Sequence, residues 1–370
     1  MPKVSIVLPS YNGERFIRAS IDSVLRQTFQ DWELIIVDDC SKDSTGKIAE
    51  QSAEKDPRIK VIHNEVNKKL PESLNVGFRA ASGEYLTWTS DDNLYLPDAI
   101  KEMVAFLDAH DAYPMVCADM VVIDEKDQFI KHWPAYDPIG MYCNDFIGAC
   151  FMYRREVLHT VGEYDPLYFC IEDYEYWMRI LKHYGYIGHI PKLLYRYREH
   201  GASLTVTKSD KVKACLEEFR FKNLDWLFEN VRSSEKYTMQ LYMELENTHG
   251  FDKALNQRFA EYAPFLKKEI SVYSGQDVIA WGCGNFGRKA KSLLGDKIQY
   301  FVDSNPKRKG TEFEGKIVLA PEEIDNKRGD AVLLVAVSGT YVGEILQRLN
   351  QLGTEKFLTM PVLETSYQNP

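Results

Sequence analysis

Two short runs of apolar residues, with an amphipathic segment between them, constrain the fold of this chain more than any other feature. The runs are Val4–Leu8 and Leu34–Val37, and neither alternates between apolar and polar residues. Continuous apolar runs of this length are typical of strands that are buried on both faces of a parallel sheet. From Arg15 to Gln27 apolar residues recur at helical spacing, which predicts a helix with one apolar stripe packed on that sheet.

The alternation of strand and helix continues along the chain. Further strands are predicted at Ile59–Ile62 and Glu84–Trp88, with a helix over Glu72–Ala81 between them. The N-terminal part therefore has the order β-α-β-α-β-α-β. This order is typical of a doubly wound, nucleotide-binding α/β domain.

Composition limits the classes of protein to consider. The 370 residues are 45% hydrophobic, enough to bury two cores, and the net charge of −10 argues against a nucleic-acid-binding protein. The seven cysteines form no CxxC pair, which indicates a reducing compartment, and no apolar run is long enough for a signal segment or a spanning helix. We therefore expect a cytoplasmic protein, with peripheral contact at the inner face of the membrane left open.

Three predicted strands run into polar residues at their carboxyl ends. These residues are Ser10-Tyr11-Asn12, Asp38-Asp39 and Asp91-Asp92. In a doubly wound sheet, ligands bind in the crevice outside those ends. A carboxylate there can accept the imide N–H of a uracil base, an aromatic ring can stack on the base, and adjacent carboxylates can bind ribose and a divalent cation.

Each of these groups also has a purely structural interpretation. Asp38 with Ser41 and Ser44 can cap a helix near Thr45–Ala53. Tyr11 can be an ordinary turn aromatic, and Asp92 with Asn93 can begin the next helix. The position of all three groups at one predicted edge favours a binding site.

The stretch VSIVLPSYNGERFIRASIDSVLRQTFQDWELIIVDDCSKDST, followed by ASGEYLTWTSDDN, resembles the family 2 glycosyltransferases of GT-A fold. It is especially similar to the bacterial spore-coat polysaccharide transferase type. The resemblance implies a metal-dependent enzyme that uses Mn²⁺ or Mg²⁺ and a nucleotide-sugar donor, with UDP as the nucleotide. It also implies that Pro9, Tyr11 and Asp39 contact the base, that Asp91 contacts the ribose, and that Asp92 binds the metal ion.

Two positions depart from the pattern of that family. Thr89 stands where many relatives have the first acid of the metal motif, so the cation is expected to rest on Asp92, diphosphate oxygens and water. The segment Asn67–Pro71 lacks the glycine that is common after its asparagine, which predicts a differently shaped nucleotide loop.

The acceptor side is predicted from an apolar strand within Phe146–Arg155 and a later helix that begins at Glu172 and Asp173. Acidic residues in a first turn commonly serve only to complement the helix dipole. The resemblance instead matches Asp173 to the general base of an inverting transferase. An edge strand is predicted at Leu193–His200. The histidine at its end resembles one near the diphosphate in some relatives, and the alternative is that it has a structural role only.

A second α/β pattern begins near residue 277. A strand over Asp277–Trp281 leads into the glycine-rich turn Gly282–Gly287, and a second strand ends at Asp303, about twenty residues after the first glycine. Strand, glycines, helix, strand and acid together match the dinucleotide-binding fingerprint. In that fingerprint the ligand-binding residues are Gly282, Gly284, Gly287 and Asp303.

The rest of the C-terminal segment completes a small domain. A strand at Ala331–Val337 and a helix to Leu352 are predicted, and the whole resembles the Rossmann-like module of some sugar-modifying transferases and methyltransferases. We expect no separate substrate domain. Binding of a dinucleotide or another nucleotide, substrate holding or assembly is therefore favoured over dehydrogenase activity.

These patterns predict three parts: a GT-A domain over 1–207, a helical linker over 208–274 that packs the domains or forms a homodimer surface, and a Rossmann-like domain over 275–370. The favoured function is transfer of a sugar from a nucleotide-sugar donor to a saccharide or lipid-linked saccharide acceptor in surface polysaccharide or glycoconjugate assembly. Two alternatives stay open, a sugar-phosphate nucleotidyltransferase and a non-catalytic nucleotide-sugar binding protein. Against the first, the opening strand lacks a glycine-rich, basic phosphate loop after it.

Overall fold

In the computed structural model of the protein, the chain divides into two compact units, Met1–Phe219 and Arg220–Pro370. The structure describes residues 1–133, 136–231 and 277–336, and the single positions 233, 234, 237, 240, 241, 345, 358 and 359. The domain limits predicted after residues 207 and 274 stay predictions, and the second of them lies outside the described residues.

The first unit is a mixed α/β domain. Its strands are β1 (Val4–Ser10), β2 (Trp32–Asp38), β3 (Ile59–His63), β4 (Tyr85–Trp88), β5 (Leu94–Tyr95), β6 (Met115–Ile123), β7 (Phe129–His132), β8 (Phe151–Arg154) and β9 (Gly188–Arg198). Its helices are α1 (Ile17–Leu25), α2 (Thr45–Ala53), α3 (Leu70–Ala80), α4 (Ala99–Ala109), α5 (Arg155–Val161), α6 (Glu172–Tyr184) and α7 (Leu204–Thr207).

The strands of this unit form one sheet. Its order is β3-β2-β1-β4-β8-β6-β9-β5, with β7 paired to β6. The first four of these strands are parallel, whereas β8 is antiparallel to both of its neighbours. Since the parallel half has the order of a doubly wound sheet, the predicted fold class is confirmed, and the carboxyl ends of β2, β1 and β4 lie side by side.

The apolar runs explain this core. Every residue of β1 and β2 is buried, as expected for strands covered on both faces. Ile17, Ile21 and Val24 on α1 pack into the same cluster and supply the apolar stripe that the spacing predicts.

Two predictions on secondary structure were wrong. The helix after the aspartate pair begins at Ala99, so Asp92 and Asn93 do not cap it. The strand predicted as an edge strand at Leu193–His200 is β9, which lies between β6 and β5. The outer side of β9 pairs with β5, which has only two residues and is therefore too short to show a strand pattern in the sequence.

The second unit contains a smaller sheet. Its strands are β10 (Val278–Trp281), β11 (Ile298–Val302), β12 (Glu312–Phe313), β13 (Lys316–Leu319), β14 (Val332–Val335) and β15 (Leu358–Thr359), and its described helices include α10 (Asn285–Leu294) and α11 (Ile324–Arg328). The order is β12-β13-β11-β10-β14-β15, and the pairs from β13 to β15 are parallel. Numbered within the parallel set, this is 3-2-1-4-5, the order of a Rossmann fold, as predicted.

The segment predicted as a helical linker contains α8 (Ser209–Lys222) and α9 (Leu224–Val231). Most of the segment after α9 lies outside the described residues, as does most of the helix predicted to end at Leu352. In the part of the chain that the structure describes, no helix has both the length and the apolarity needed to span a bilayer.

Candidate active site

The sheet edge formed by β1, β2 and β4 brings the predicted donor residues together. The backbone N–H of Asp39 donates to the carbonyl of Ser10 at 2.8 Å, and the Ser10 hydroxyl donates to Oδ2 of Asp91. Tyr11 lies at the end of β1 with half of its surface exposed (50%), whereas Pro9 is buried within the strand. A Cβ atom at Gly13 would lie 2.0 Å from Oδ2 of Asp91, so only glycine leaves room for that carboxylate.

Asp39 is buried and holds the loop that follows β3. Its Oδ1 accepts the N–H of Lys68 at 2.7 Å and the side-chain amide of Asn64 at 2.9 Å, and its Oδ2 accepts the N–H of Lys69 at 2.9 Å. A carboxylate offers about four acceptor positions. One position on Oδ2 is therefore left for a ligand N–H, while the other contacts fix the loop that lacks the family glycine.

Asp38 has a structural role. Its Oδ1 accepts the N–H of Ser41 at 3.1 Å, and its Oδ2 lies 2.9 Å from Nδ1 of His63, whose Nε2 lies 2.8 Å from Glu50. The first turn of α2 is stabilised instead by Asp43, which accepts from the N–H of Thr45. The interpretation of Asp38 as a direct cap of α2 was therefore wrong.

The Asp91–Asp92 pair concentrates negative charge beside this edge. Burial and the neighbouring Asp92 carboxylate raise the pKa of Asp91, against the hydrogen bond from Ser10. Oδ2 of Asp92 lies 3.0 Å from Nε2 of His200, and this hydrogen bond raises the pKa of the histidine. A raised carboxyl pKa means that a second negative charge is unfavourable here unless a cation joins it.

Arg198 fixes the position of the pair, and sequence reasoning did not identify it. Its side chain is buried, with Nε donating to the carbonyl of Asp92 at 2.8 Å and Nη1 donating to the carbonyl of Asp124 at 2.8 Å. Nη2 pairs with Asp127 at 2.6 Å. One arginine thus joins the Asp92 turn to the β6–β7 hairpin, and only its place just before His200 in the sequence could have indicated this.

The hydroxyl of Thr89 is hydrogen-bonded within the buried part of the first unit. Its hydroxyl lies 2.6 Å from the hydroxyl of Tyr195, and both residues are buried in the sheet. It therefore cannot supply the ligand that an acid at this position supplies in many relatives.

The donor set fits a divalent cation that a diphosphate helps to bind. Among the described residues, no group of three His, Cys, Asp or Glu side chains is arranged to hold a metal ion. Mg²⁺ and similar hard cations are usually bound by one or two carboxylates, water and substrate phosphates. Asp92, with Asp91 and His200 beside it, can supply the carboxylate ligands. Water and substrate phosphates would have to supply the remaining ligands.

Asp173 is linked to the donor edge through a layer of aromatic rings. Trp88 at the end of β4 donates its indole N–H to the hydroxyl of Tyr164 at 3.2 Å, and Tyr164 stacks on Tyr176 of α6 at 4.2 Å between ring centroids. Asp173 lies in the first turn of α6, and its carboxylate accepts the N–H of Tyr174 at 2.7 Å. Burial, followed by the charge of Asp145, raises the pKa of Asp173.

Glu172 differs from its neighbour in exposure and contacts. It is only 4% exposed, and its Oε2 accepts the N–H of Cys170 at 2.7 Å, which fixes the turn before the helix. Burial and the Asp173 charge raise its pKa. Glu172 thus supports the turn, whereas the partly exposed Asp173 is the carboxylate that a substrate can reach.

The glycine-rich turn of the second unit lies between β10 and α10. Gly282 follows β10 with φ of 128°, and a Cβ atom at Gly287 would lie 2.1 Å from the carbonyl oxygen of Gly282. A Cβ atom at Gly284 would meet nothing within 4 Å. Asp303 follows β11, and its Oδ2 lies 3.5 Å from Nε of Arg308. Nη1 of the same arginine donates to the carbonyl of Cys283 at 2.9 Å.

The first unit combines a doubly wound sheet, with an aspartate pair at its switch edge, and a later helix that starts at an acidic pair. This is the arrangement of the GT-A glycosyltransferases that the sequence resembles. The chain belongs to glycosyl transferase family 2. The model of that family matches residues 5–162. A second family model, described as C2185-like, N-terminal, matches residues 274–357.

Similar proteins agree with this assignment. A Bacillus subtilis (strain 168) protein named as a glycosyltransferase, EpsE, is 35% identical over 205 residues, which cover 54% of this chain and 73% of that protein. An uncharacterised Rickettsia typhi glycosyltransferase, RT0329, is 30% identical over 292 residues, covering 75% and 84%. Among solved structures, S. aureus TarS 1–349 in complex with UDP-GlcNAc aligns with a TM-score of 0.50 and 19% identity over 74% of each chain, a likeness of fold alone.

Proposed function

We propose that the chain is a metal-dependent, inverting glycosyltransferase. It moves a hexosyl group from a UDP-linked donor to a hydroxyl of a saccharide or lipid-linked saccharide in surface polysaccharide or glycoconjugate assembly. The observation that carries the proposal is the juxtaposition at one sheet edge of Tyr11, Asp39 and the Asp91–Asp92 pair, with the carboxyl of Asp173 linked to that edge through Trp88 and Tyr164.

The donor nucleotide binds at the ends of β1 and β2. The exposed ring of Tyr11 stacks on the base, and the remaining acceptor position of Asp39 takes the imide N–H of uracil. Asp91, held by Ser10, faces the ribose. The binding of UDP-GlcNAc by TarS, which shares the fold, supports a UDP-linked donor.

The diphosphate lies by Asp92 and His200. A bound Mn²⁺ or Mg²⁺ would neutralise the charge of the departing diphosphate. Asp92 would hold the cation, Arg198 fixes the backbone of Asp92, and His200 stands within hydrogen-bond distance of the carboxylate.

Asp173 is the general base. It takes the proton of the acceptor hydroxyl as that oxygen attacks the anomeric carbon, and attack opposite the diphosphate inverts the configuration. A raised pKa suits this role, since a base works best when its pKa is near the working pH.

The second unit binds a nucleotide-containing ligand at Gly282, Gly284, Gly287 and Asp303, and we place the protein in the cytoplasm. All seven cysteines, each within the described residues, are free thiols, which suits a reducing compartment. Peripheral membrane contact and a homodimer formed through the linker belong to the same proposal.

A panel of UDP-, GDP- and dTDP-sugars, scored for nucleotide release with Mn²⁺, with Mg²⁺ and with chelator, tests the function. We expect metal-dependent release from a UDP-sugar and an inverted anomeric centre in the product. Pyrophosphate formation from sugar phosphate and nucleoside triphosphate would instead identify a nucleotidyltransferase. Tight donor binding without turnover over the whole panel would identify a binding protein.

A further inference from the structure

Resting on the proposed function, we propose that Asp119 and His189 form a binding site for hydroxyl groups of the saccharide acceptor. Asp119 lies on β6 and His189 on β9, two neighbouring strands of the first sheet. Oδ1 of Asp119 lies 2.8 Å from Nε2 of His189. The pair holds the acceptor sugar while Asp173 takes the proton of its reacting hydroxyl.

Asp119 is the one exposed position on a strand that is otherwise buried. β6 lies inside the sheet, between β8 and β9, and Asp119 alone of its nine residues is not buried. Its side chain is 42% exposed. An interior strand of an α/β sheet is usually apolar on both faces. The exposure at this position therefore indicates an opening over the middle of β6, with a carboxylate on its floor.

The strand pairing beside Asp119 is irregular. β9 runs parallel to β6, and Ala118 pairs with Ile190. Asp119, the next residue, pairs with Leu193, so β9 has two extra residues here. A second register shift follows between Asp119 and Met120. Bulges of this kind are common next to active sites, where they redirect side chains and interrupt regular pairing.

Asp119 points to the face of the sheet that carries α6. Cys117, two residues earlier on β6, pairs with Phe151 on β8, and Phe151 packs on Trp177 of α6 at 4.3 Å between ring centroids. Side chains of paired residues share a face of the sheet, as do residues two apart on one strand. Residues four apart on a helix also share a side. Asp119 and Asp173 therefore face the same layer, each close to the contact between Phe151 and Trp177.

One loop contacts both His189 and α6. The ring of Tyr136 stacks on His189, with 4.9 Å between ring centroids and 17° between planes. Further along this loop, the carbonyl of Tyr142 accepts the hydroxyl of Tyr174, in the first turn of α6, at 3.1 Å. The loop thus fixes the imidazole ring and joins the Asp119–His189 pair to the start of the helix that carries the general base.

The free acceptor positions of Asp119 suit a sugar. A carboxylate offers about four acceptor positions, and within the described part of the chain Asp119 uses one of them, for His189. Its Oδ2 can therefore accept from hydroxyl groups that reach the opening over β6. An ion pair that only joined two strands would need neither that opening nor the free oxygen.

The test compares Asp119→Asn with Asp56→Asn in the full chain. Asp56 is also a partly exposed, ion-paired carboxylate, but its partner is Arg58, just before β3. The acceptors are p-nitrophenyl glycosides of glucose, galactose, mannose and N-acetylglucosamine, and the donor is the most active UDP-sugar of the donor panel.

We expect the acceptor KM to rise about tenfold or more in Asp119→Asn, because hydrogen bonds to a charged group are lost. The acceptor KM should stay at the wild-type value in Asp56→Asn. UDP affinity and hydrolysis of the donor by water should be unchanged in both variants, since neither depends on the acceptor site.

The second readout uses deoxygenated forms of the best glycoside, each lacking one hydroxyl group. In the wild type, loss of the hydroxyl that Asp119 binds should raise KM about tenfold, and in Asp119→Asn the same loss should have little further effect. A purely structural role would instead make the two effects additive. If Asp119→Asn does not fold, Asp119→Thr takes its place, since threonine favours strands.

An acceptor KM that is the same in wild type and Asp119→Asn, with equal sensitivity to every deoxygenated position, would overturn the inference. The pair would then only join β6 to β9. Donor hydrolysis without transfer to any glycoside of the panel would overturn it too, because the acceptor would not be a saccharide of this kind. The proposed function fails separately, through the absence of UDP release from every donor.

Discussion

At the scale of single residues, the same carboxylate often has a structural and a chemical interpretation. Asp173 could complement the dipole of α6, but burial and the charge of Asp145 raise its pKa, which a simple cap does not require. The carboxylate of Asp38, in contrast, is hydrogen-bonded to Ser41 and His63, so its role is structural. Contacts, rather than position at a strand end, separate the two cases.

For Asp173→Asn we expect turnover to fall by roughly 10²-fold or more, with donor affinity and melting temperature close to wild type. The amide keeps the shape and the acceptor for the Tyr174 N–H but cannot take a proton. The pH profile of the wild type should lose activity as pH falls through the raised pKa, since the base must be ionised. The matched control is Asp165→Asn, because Asp165 caps its turn by accepting from the N–H of Leu167. A near-normal transfer rate at saturating acceptor would make Glu172 the next candidate.

Asp92→Ala should abolish turnover and weaken UDP binding in the presence of Mn²⁺, because it removes the main protein ligand of the cation. Calorimetric titration of UDP with and without Mn²⁺ measures this directly. Asp98→Ala is the control, because it removes a carboxylate that is hydrogen-bonded to Thr28 and not to His200. Wild-type turnover that persists in chelator would contradict metal dependence.

Asp39→Ala should weaken donor binding in two separable ways. Loss of the contacts to Lys68 and Lys69 frees the loop, which weakens the binding of every nucleotide to the same extent. Loss of the base contact reduces the difference in affinity between UDP and the other nucleotides, CDP and GDP. The second effect should be about 1–3 kcal/mol, the usual cost of an unpaired N–H. Equal preference for UDP in variant and wild type would show that Asp39 only supports the loop.

At the scale of elements, the parallel half of the first sheet is joined at its N-terminal side by one buried carboxylate. Glu33 on β2 accepts from Ser5 on β1, from Ser82 before β4 and from Lys60 on β3. Burial would raise its pKa, but these donors outweigh that effect and lower the pKa to about 2.

The lowered pKa of Glu33 makes its contribution to stability depend on pH. A group with a depressed folded-state pKa stabilises the fold above its unfolded value, here 4.5, and the contribution is lost as pH falls toward about 2. We expect Glu33→Gln to lower the free energy of unfolding by about 3 kcal/mol at pH 7 and by progressively less below pH 4.5. Urea unfolding at several pH values measures this, with the exposed Glu54→Gln as control. A pH-independent difference would show that packing, not ionisation, is lost.

The sequence predicts whether a segment is a strand or a helix where its hydrophobic pattern is strong. It does not predict the place of a strand in the sheet. The buried runs at Val4–Leu8 and Leu34–Val37 predicted β1 and β2 because strands covered on both faces need continuous apolar residues. Which strands pair with one another has no local pattern in the sequence, so β9 was wrongly predicted as an edge strand. The contacts of Arg198 with distant backbone carbonyls have no local pattern either, so this residue was not identified.

At the scale of the whole molecule, the sheet of each unit has a parallel part, and on the proposed function each unit presents a nucleotide-binding edge there. In the first, the edge is acidic and binds through side chains. In the second, it is a glycine-rich turn at the N-terminus of α10, which favours phosphate through backbone N–H groups. The two edges therefore differ in the part of a nucleotide that they are built to hold.

Gly284→Ala should weaken ligand binding by the second unit without changing its stability. The added methyl group has open space in the protein but occupies the path by which a phosphate approaches the turn. Thermal shift of the full chain against NAD, NADP, CoA and nucleotide sugars, repeated in the Asp92→Ala background, measures this apart from the transferase site. Gly287→Ala is the contrast, since its methyl group would overlap the Gly282 carbonyl and should lower the melting temperature. No shift with any ligand would favour a purely structural domain.

The buried hydrogen bond of Thr89 has a consequence for the order of binding. With the Thr89 hydroxyl hydrogen-bonded to Tyr195, the residues that the structure describes offer a divalent cation too few ligands for a stable complex. On the proposed mechanism the missing ligands come from the donor's own diphosphate, so cation and donor become thermodynamically linked and each raises the affinity for the other. A site of this kind stays nearly free of metal until a nucleotide sugar arrives, and it releases the cation again with the spent nucleotide.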